Sequence, residues 1–134
     1  MENKQIKISG DTPNDATIFT ACDSIYFNKY VHGFSNSIAK LKSKNLHIHL
    51  INPSKTDIDI VSEIKLDFKK ISNKDLTCSY EEVHINENAI VNKVYYASSR
   101  YLVQEFFTIS KCLIVDIDSI FLKNFEFPLE DLGF

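Results

Sequence analysis

Glycine and proline are scarce, three of each in 134 residues. An all-β sandwich needs a turn roughly every 8–12 residues, and so few turn formers argue against one. Cysteine is equally sparse. Cys22, Cys78 and Cys112 are odd in number, widely spaced and match no zinc or redox pattern. They read as buried free thiols in a reducing compartment. No stretch approaches the ~18 apolar residues that would span a bilayer, so no transmembrane segment is expected. The opening segment, MENKQIKISGDTPNDA, lacks the apolar core of a signal peptide, and the expected location is cytoplasmic. Positive charge is not in surplus. The net charge of −3 gives no sign, at the level of the whole chain, of a nucleic-acid partner. Internal repeats and low-complexity linkers are absent too.

What is present is an ordinary globular composition, 44% hydrophobic and 25% charged, which suits one domain and is too short for two. Residues 1–15 read as a polar N-terminal segment and residues 16–134 as an α/β domain. Ala16 to Ala21 (ATIFTA) is an apolar, β-favouring run after a turn-rich stretch. Phe27, Tyr30, Val31, Phe34, Ile38 and Leu41 then mark one face of a helix from about Ile25 to Lys42. Leu46 to Ile51 (LHIHLI) alternates as a strand does, and Ile58, Val61, Ile64 and Phe68 mark a second helix. Leu76 to Tyr80 predicts a short strand. Val91, Tyr95, Leu102 and Phe106 predict a helix from about Asn88 to Phe107, and Cys112 to Val115 (CLIV) the last strand. The order β-α-β-α-β-α-β predicts a mostly parallel sheet with helices packed on both faces.

Such sheets bind ligands at the carboxyl ends of their strands. After the first predicted strand stand Cys22-Asp23-Ser24, and after the last Asp116-Ile117-Asp118. Two acids two residues apart in extended chain point to one side and offer hard oxygens suited to Mg²⁺ or Mn²⁺. Asp-x-Asp is a weak pattern, and the chain carries a second copy in Asp57 and Asp59. There the acids precede a helix and read as capping residues. Arg100, the one arginine, lies on a helix apolar on both sides. It needs an acidic partner or a route to solvent, and either a structural ion pair or a place at the site would satisfy it. His47 and His49 share one face of their strand, and a half-exposed strand accounts for them more simply than a metal does. Lys42 and Lys44 sit near a helix end and suit its negative terminus.

The segments YYASSRYLVQEFF and KCLIVDIDSIFLKNF, followed by PLEDLG, resemble the GT-A glycosyltransferases, most closely the glycogenin and lipopolysaccharide galactosyltransferase group. In that group a helix bearing Tyr-x-x-x-Arg precedes an apolar strand ending in Asp-x-Asp. IFTACDSIYF, a helix and LHIHLINP resemble its first strand, aromatic turn and second strand. The resemblance covers nearly all of the chain from Ala16 onward. It implies a Rossmann-like sheet and binding of a nucleotide-diphospho-sugar donor, a UDP-sugar above all. It further implies Asp116 and Asp118 as ligands of Mn²⁺ or Mg²⁺, with Ala21, Asp23 and Tyr26 at the nucleobase and ribose and Arg100 near the metal and donor sugar. The turn at Asp23-Ser-Ile-Tyr is one residue longer than the commonest family form, which bears on Tyr26 more than on Asp23. The family's later segment, with a further metal ligand and much of the acceptor pocket, has no counterpart before Phe134. The resemblance thus implies the nucleotide-binding half of the family, truncated at its C-terminal side. Two other functions compete. One is a non-catalytic nucleotide-sugar-binding relative. The other is a phosphohydrolase of the haloacid-dehalogenase type, which LIVDIDSIF also resembles, with the first Asp as nucleophile and the second as general acid.

Overall fold

The structure is a computed structural model that describes residues 8–14, 16–41, 43–83, 107 and 111–127. The elements in chain order are β1 (Ile8–Gly10), β2 (Thr17–Asp23), α1 (Ser24–Ala39), β3 (Asn45–Ile51), α2 (Lys55–Ser72), β4 (Leu76–Glu81) and β5 (Cys112–Ile114). Five strands form one mixed sheet in the order β1-β4-β3-β2-β5. The three pairings from β4 to β5 are parallel, and β1 alone runs antiparallel, against β4. The molecule is thus an α/β protein with two described helices. Residues 88–106 of the helix expected over 88–107, Arg100 among them, lie outside the described residues.

Local chemistry explains each boundary. α1 starts where Asp23 turns from the extended chain and its Oδ1 accepts the Tyr26 amide at 3.0 Å, an N-cap. Phe27, Val31, Phe34 and Ile38 recur at helical spacing and are all buried. Each such side chain contributes roughly 1.5–3 kcal/mol by leaving water. α2 begins with a reciprocal capping box. Ser54 Oγ accepts the Asp57 amide at 3.1 Å, and Asp57 Oδ2 accepts the Ser54 amide at 3.0 Å. Asp57 Oδ1 also accepts from Asn28 Nδ2 at 2.7 Å, so one fully buried carboxylate ties the first turns of both helices. Burial would raise the Asp57 pKa, but hydrogen bonds from Ser24, Ser54 and Asn28 outweigh it and leave it below its usual range. The helix ends on Asn73, in the left-handed region at φ 58°, whose amide reaches the Lys69 carbonyl.

Both helices cover the same face of the sheet. Ile18, Cys22, Leu46, Ile48, Leu50 and Cys78 point to that face and form one core with the apolar stripes of α1 and α2. Burial pushes the Cys78 thiol up to about 12 and holds Cys22 well above its ordinary value, so both behave as small apolar groups. The opposite face is also buried, but its composition differs. Phe19 and Ala21 stand on β2, and Ile8, Phe107 and Cys112 pack against them. His47, His49, Ser79 and Glu81 stand beside them on β3 and β4, all at most 1% exposed.

The N-terminal polar segment is not wholly outside the sheet: Ile8–Gly10 pairs with Ser79, Tyr80 and Glu81 and covers the β4 edge. Gly10 at φ 90° makes this possible, because a Cβ there would lie 2.7 Å from the Cys78 carbonyl oxygen. The strand of His47 and His49 is buried on both faces, not half exposed, because Phe19 and Phe107 cover the histidines. Lys44 is buried, with its Nζ 4.9 Å from the centre of the Phe125 ring, a cation–π contact that holds the chain after β5 against the body.

Candidate functional site

The strand order reverses beside β2. From β2 the chain steps outward through β3 to β4, and β5 then returns to the other side of β2. At such a point the connections leave in opposite directions and open a crevice beyond the carboxyl ends of the two central strands. The two strands differ in length. β5 pairs with Thr17, Ile18 and Phe19, and Val115 adds one more bond to the Phe19 carbonyl at 2.9 Å. β2 continues to Asp23 with β3 alone beside it among the described residues.

Asp23, Asp116 and Asp118 all belong to this carboxyl edge. Asp116 and Asp118 are exposed while Ile117 between them is buried in the helix-side core. The apolar residue is the anchor, and the acids flank it on the outside. They lie in a turn rather than in extended chain: the Ser119 amide donates to the Asp116 carbonyl at 3.1 Å. β5 stops two residues short of Asp116, so the expected strand alternation does not orient this pair. The turn is secured further on, where the Phe121 amide donates to Ser37 Oγ at 3.1 Å and Phe121, Phe125 and Phe127 pack in series.

The remaining site residues divide. Asp23 commits Oδ1 to capping α1. Tyr26 is 52% exposed, with its ring stacked on Tyr30 at 6.1 Å and 16°, a flat aromatic surface one helical turn from Asp23. Ala21 is 6% exposed and pairs in register with His49 inside the sheet, so its side chain faces no solvent. Arg100 lies outside the described residues. Asp23 thus ends β2 and Tyr26 follows it in α1, Asp116 and Asp118 follow the carboxyl end of β5, and Ala21 lies within β2.

Among the described residues no group of three His, Cys, Asp or Glu side chains is placed to hold a metal ion. No helix among them is long and apolar enough to cross a membrane. A small cavity of about 50 Å³ lies between the later halves of α1 and α2, lined in part by His32, Asn36 and Asp67, away from the carboxyl edge. Comparison with protein-family models, with curated proteins and with solved structures finds no match.

Sequence reasoning missed the polar constellation on the second face. Thr77 Oγ1 lies 2.7 Å from His47 Nδ1, and Ser79 Oγ is 2.8 Å from His47 Nε2 and 2.7 Å from His49 Nδ1. His49 Nε2 is 2.9 Å from Glu81 Oε1. Both nitrogens of both rings are engaged, which leaves no ring nitrogen to bind a metal without breaking the chain. The signal was available: Thr77-x-Ser79-x-Glu81 matches the period-2 spacing of His47-x-His49. Recognising it required the β3–β4 register.

Proposed function

We propose that the chain is the donor-binding part of a metal-dependent glycosyltransferase-like protein, with a Rossmann-like sheet that takes a nucleotide-diphospho-sugar, a UDP-sugar first, at the β2–β5 crevice. The observation that carries this reading is the reversal of strand order beside β2, with Asp23 at the carboxyl end of β2 and Asp116 and Asp118 just beyond β5. Asp116 and Asp118 supply exposed carboxylates of the kind Mg²⁺ or Mn²⁺ prefers, and these ions complete their shell with phosphate oxygens and water. Two carboxylates are therefore a fitting protein contribution. The ion would stabilise charge gathering on the nucleoside diphosphate as the sugar leaves. Tyr26 offers its exposed ring to a base, Asp23 offers carboxylate oxygen to a ribose hydroxyl, and Arg100 belongs to the same proposal as a phosphate partner.

One observation favours a second reading, a non-catalytic relative that binds the donor without an ion. It is the lack of a third metal-capable side chain near the pair among the described residues. Thermal unfolding with UDP-sugars, with and without Mn²⁺, separates the two. At 100 times Kd a ligand stabilises by about 2.7 kcal/mol. The expected result is a rise in Tm that needs both donor and Mn²⁺ and is lost in Asp116→Asn and in Asp118→Asn. A rise independent of Mn²⁺ supports the second reading, and no rise with any UDP-sugar removes both.

A further inference from the structure

The buried chain on the second face has a direction. With Glu81 as a carboxylate, which can only accept, His49 donates from Nε2. His49 Nδ1 then accepts from the Ser79 hydroxyl, Ser79 accepts from His47 Nε2, and His47 Nδ1 accepts from the Thr77 hydroxyl. Four protons fill four links with no clash and no gap. The opposite polarity also fills every link, but it needs a fifth proton. Thr77 Oγ1 lies 3.4 Å from the Leu46 carbonyl as well, so its hydroxyl has a second acceptor when His47 presents a proton to it. Thr77 is also partly exposed, unlike the four other members.

We infer that the Thr77–His47–Ser79–His49–Glu81 chain is a one-proton relay that carries a proton from the Thr77 end of β4 to the Glu81 end. A solvent proton reaches Thr77 Oγ1, and the original Thr77 proton moves to His47 Nδ1. The His47 Nε2 proton moves to Ser79, and the Ser79 proton moves to His49 Nδ1. His49, now doubly protonated, either stays an imidazolium against the Glu81 carboxylate or passes its Nε2 proton to it. One proton has entered, each intermediate group ends with as many as it began with, and three links have reversed. The surroundings favour passage over storage at His47. Burial, and after it the neighbouring His49, push the His47 pKa down to about 3, so it transmits a proton without keeping two. The ionisable groups acting on it among the described residues are His49, Asp11 after β1 and Lys65 on α2; Asp11 and Lys65 pair with each other. From β2 the contact is the apolar ring of Phe19, stacked on His47 at 5.2 Å.

The test is long-range ¹H–¹⁵N correlation on histidine-labelled full-length chain, followed from pH 8 downward. Both rings are expected as Nε2–H tautomers at pH 8. On acidification His47 should change to the Nδ1–H tautomer while remaining neutral. In Ser79→Ala, His47 should keep its Nε2–H tautomer over the same pH range. The relay is overturned if His47 keeps Nε2–H throughout, if it becomes an imidazolium, or if the wild-type chain unfolds before any tautomer changes. A tautomer change that persists in Ser79→Ala at the wild-type midpoint overturns it as well.

Discussion

The two faces of the central sheet are built from alternate residues of the same strands, yet they solve burial in opposite ways. On the helix side Ile18, Leu46, Ile48 and Leu50 meet α1 and α2 through dispersion and exclusion of water, which have no direction. On the other side His47, His49, Ser79 and Glu81 are as fully buried, and each depends on a particular atom of a particular neighbour. The first face tolerates changes that keep volume. The second tolerates few changes of any kind, because a lost partner leaves a polar group dry.

That contrast can be attacked by substitution. Phe34→Ala, which empties a 1%-exposed position against the sheet, should cost about 3–5 kcal/mol in urea unfolding. His49→Leu nearly conserves volume and should still cost about 3 kcal/mol, since it removes the ring between Ser79 and Glu81. A loss below about 1 kcal/mol would erase the distinction between the faces. Acid sharpens it further. His47 is held neutral in the fold, with its pKa pushed from 6.5 to about 3, so below pH 6.5 the unfolded chain takes up a proton that the folded chain refuses. Stability should therefore fall by at most about 1.4 kcal/mol per pH unit from that residue, starting near pH 6.5 and ending near 3. Asp57 has the opposite charge type and a lowered pKa, so its contribution is lost only at the acid end, below the usual carboxylate range. A stability profile flat from pH 7 to 5 would contradict the burial of a neutral His47. Gly10→Ala, which forces a Cβ against the Cys78 carbonyl at a positive φ, should cost about 1–3 kcal/mol and loosen β1 from β4. The smallest effect belongs to Leu46→Met on the apolar face, expected under about 1.5 kcal/mol in the same assay.

The apolar face was legible because its evidence is local. Phe27, Val31, Phe34 and Ile38 announce α1 by spacing alone, and Asp57 reads correctly as a capping acid because capping is decided within four residues. The parallel arrangement from β4 to β5 followed from the alternation of elements. The polar face was not legible, because nothing in LHIHLI tells that Ser79 and Glu81, thirty residues later, arrive opposite its histidines. β1 was missed because three residues carry too little periodicity to register, and its pairing depends on one glycine. At the site, the sequence places Asp116 and Asp118 beyond an apolar strand. That β5 ends at Ile114 and the pair falls in a turn depends on where pairing with β2 stops.

Asp57 has a consequence for motion. Its carboxylate accepts from the Ser54 amide at the mouth of one helix and from Asn28 in the opening turn of the other. Fraying either start costs a bond in its neighbour, so amide hydrogens there should trade with deuterated solvent as a single cooperative unit. The lip of the sheet beside Asp23 is then braced by a residue that never reaches it.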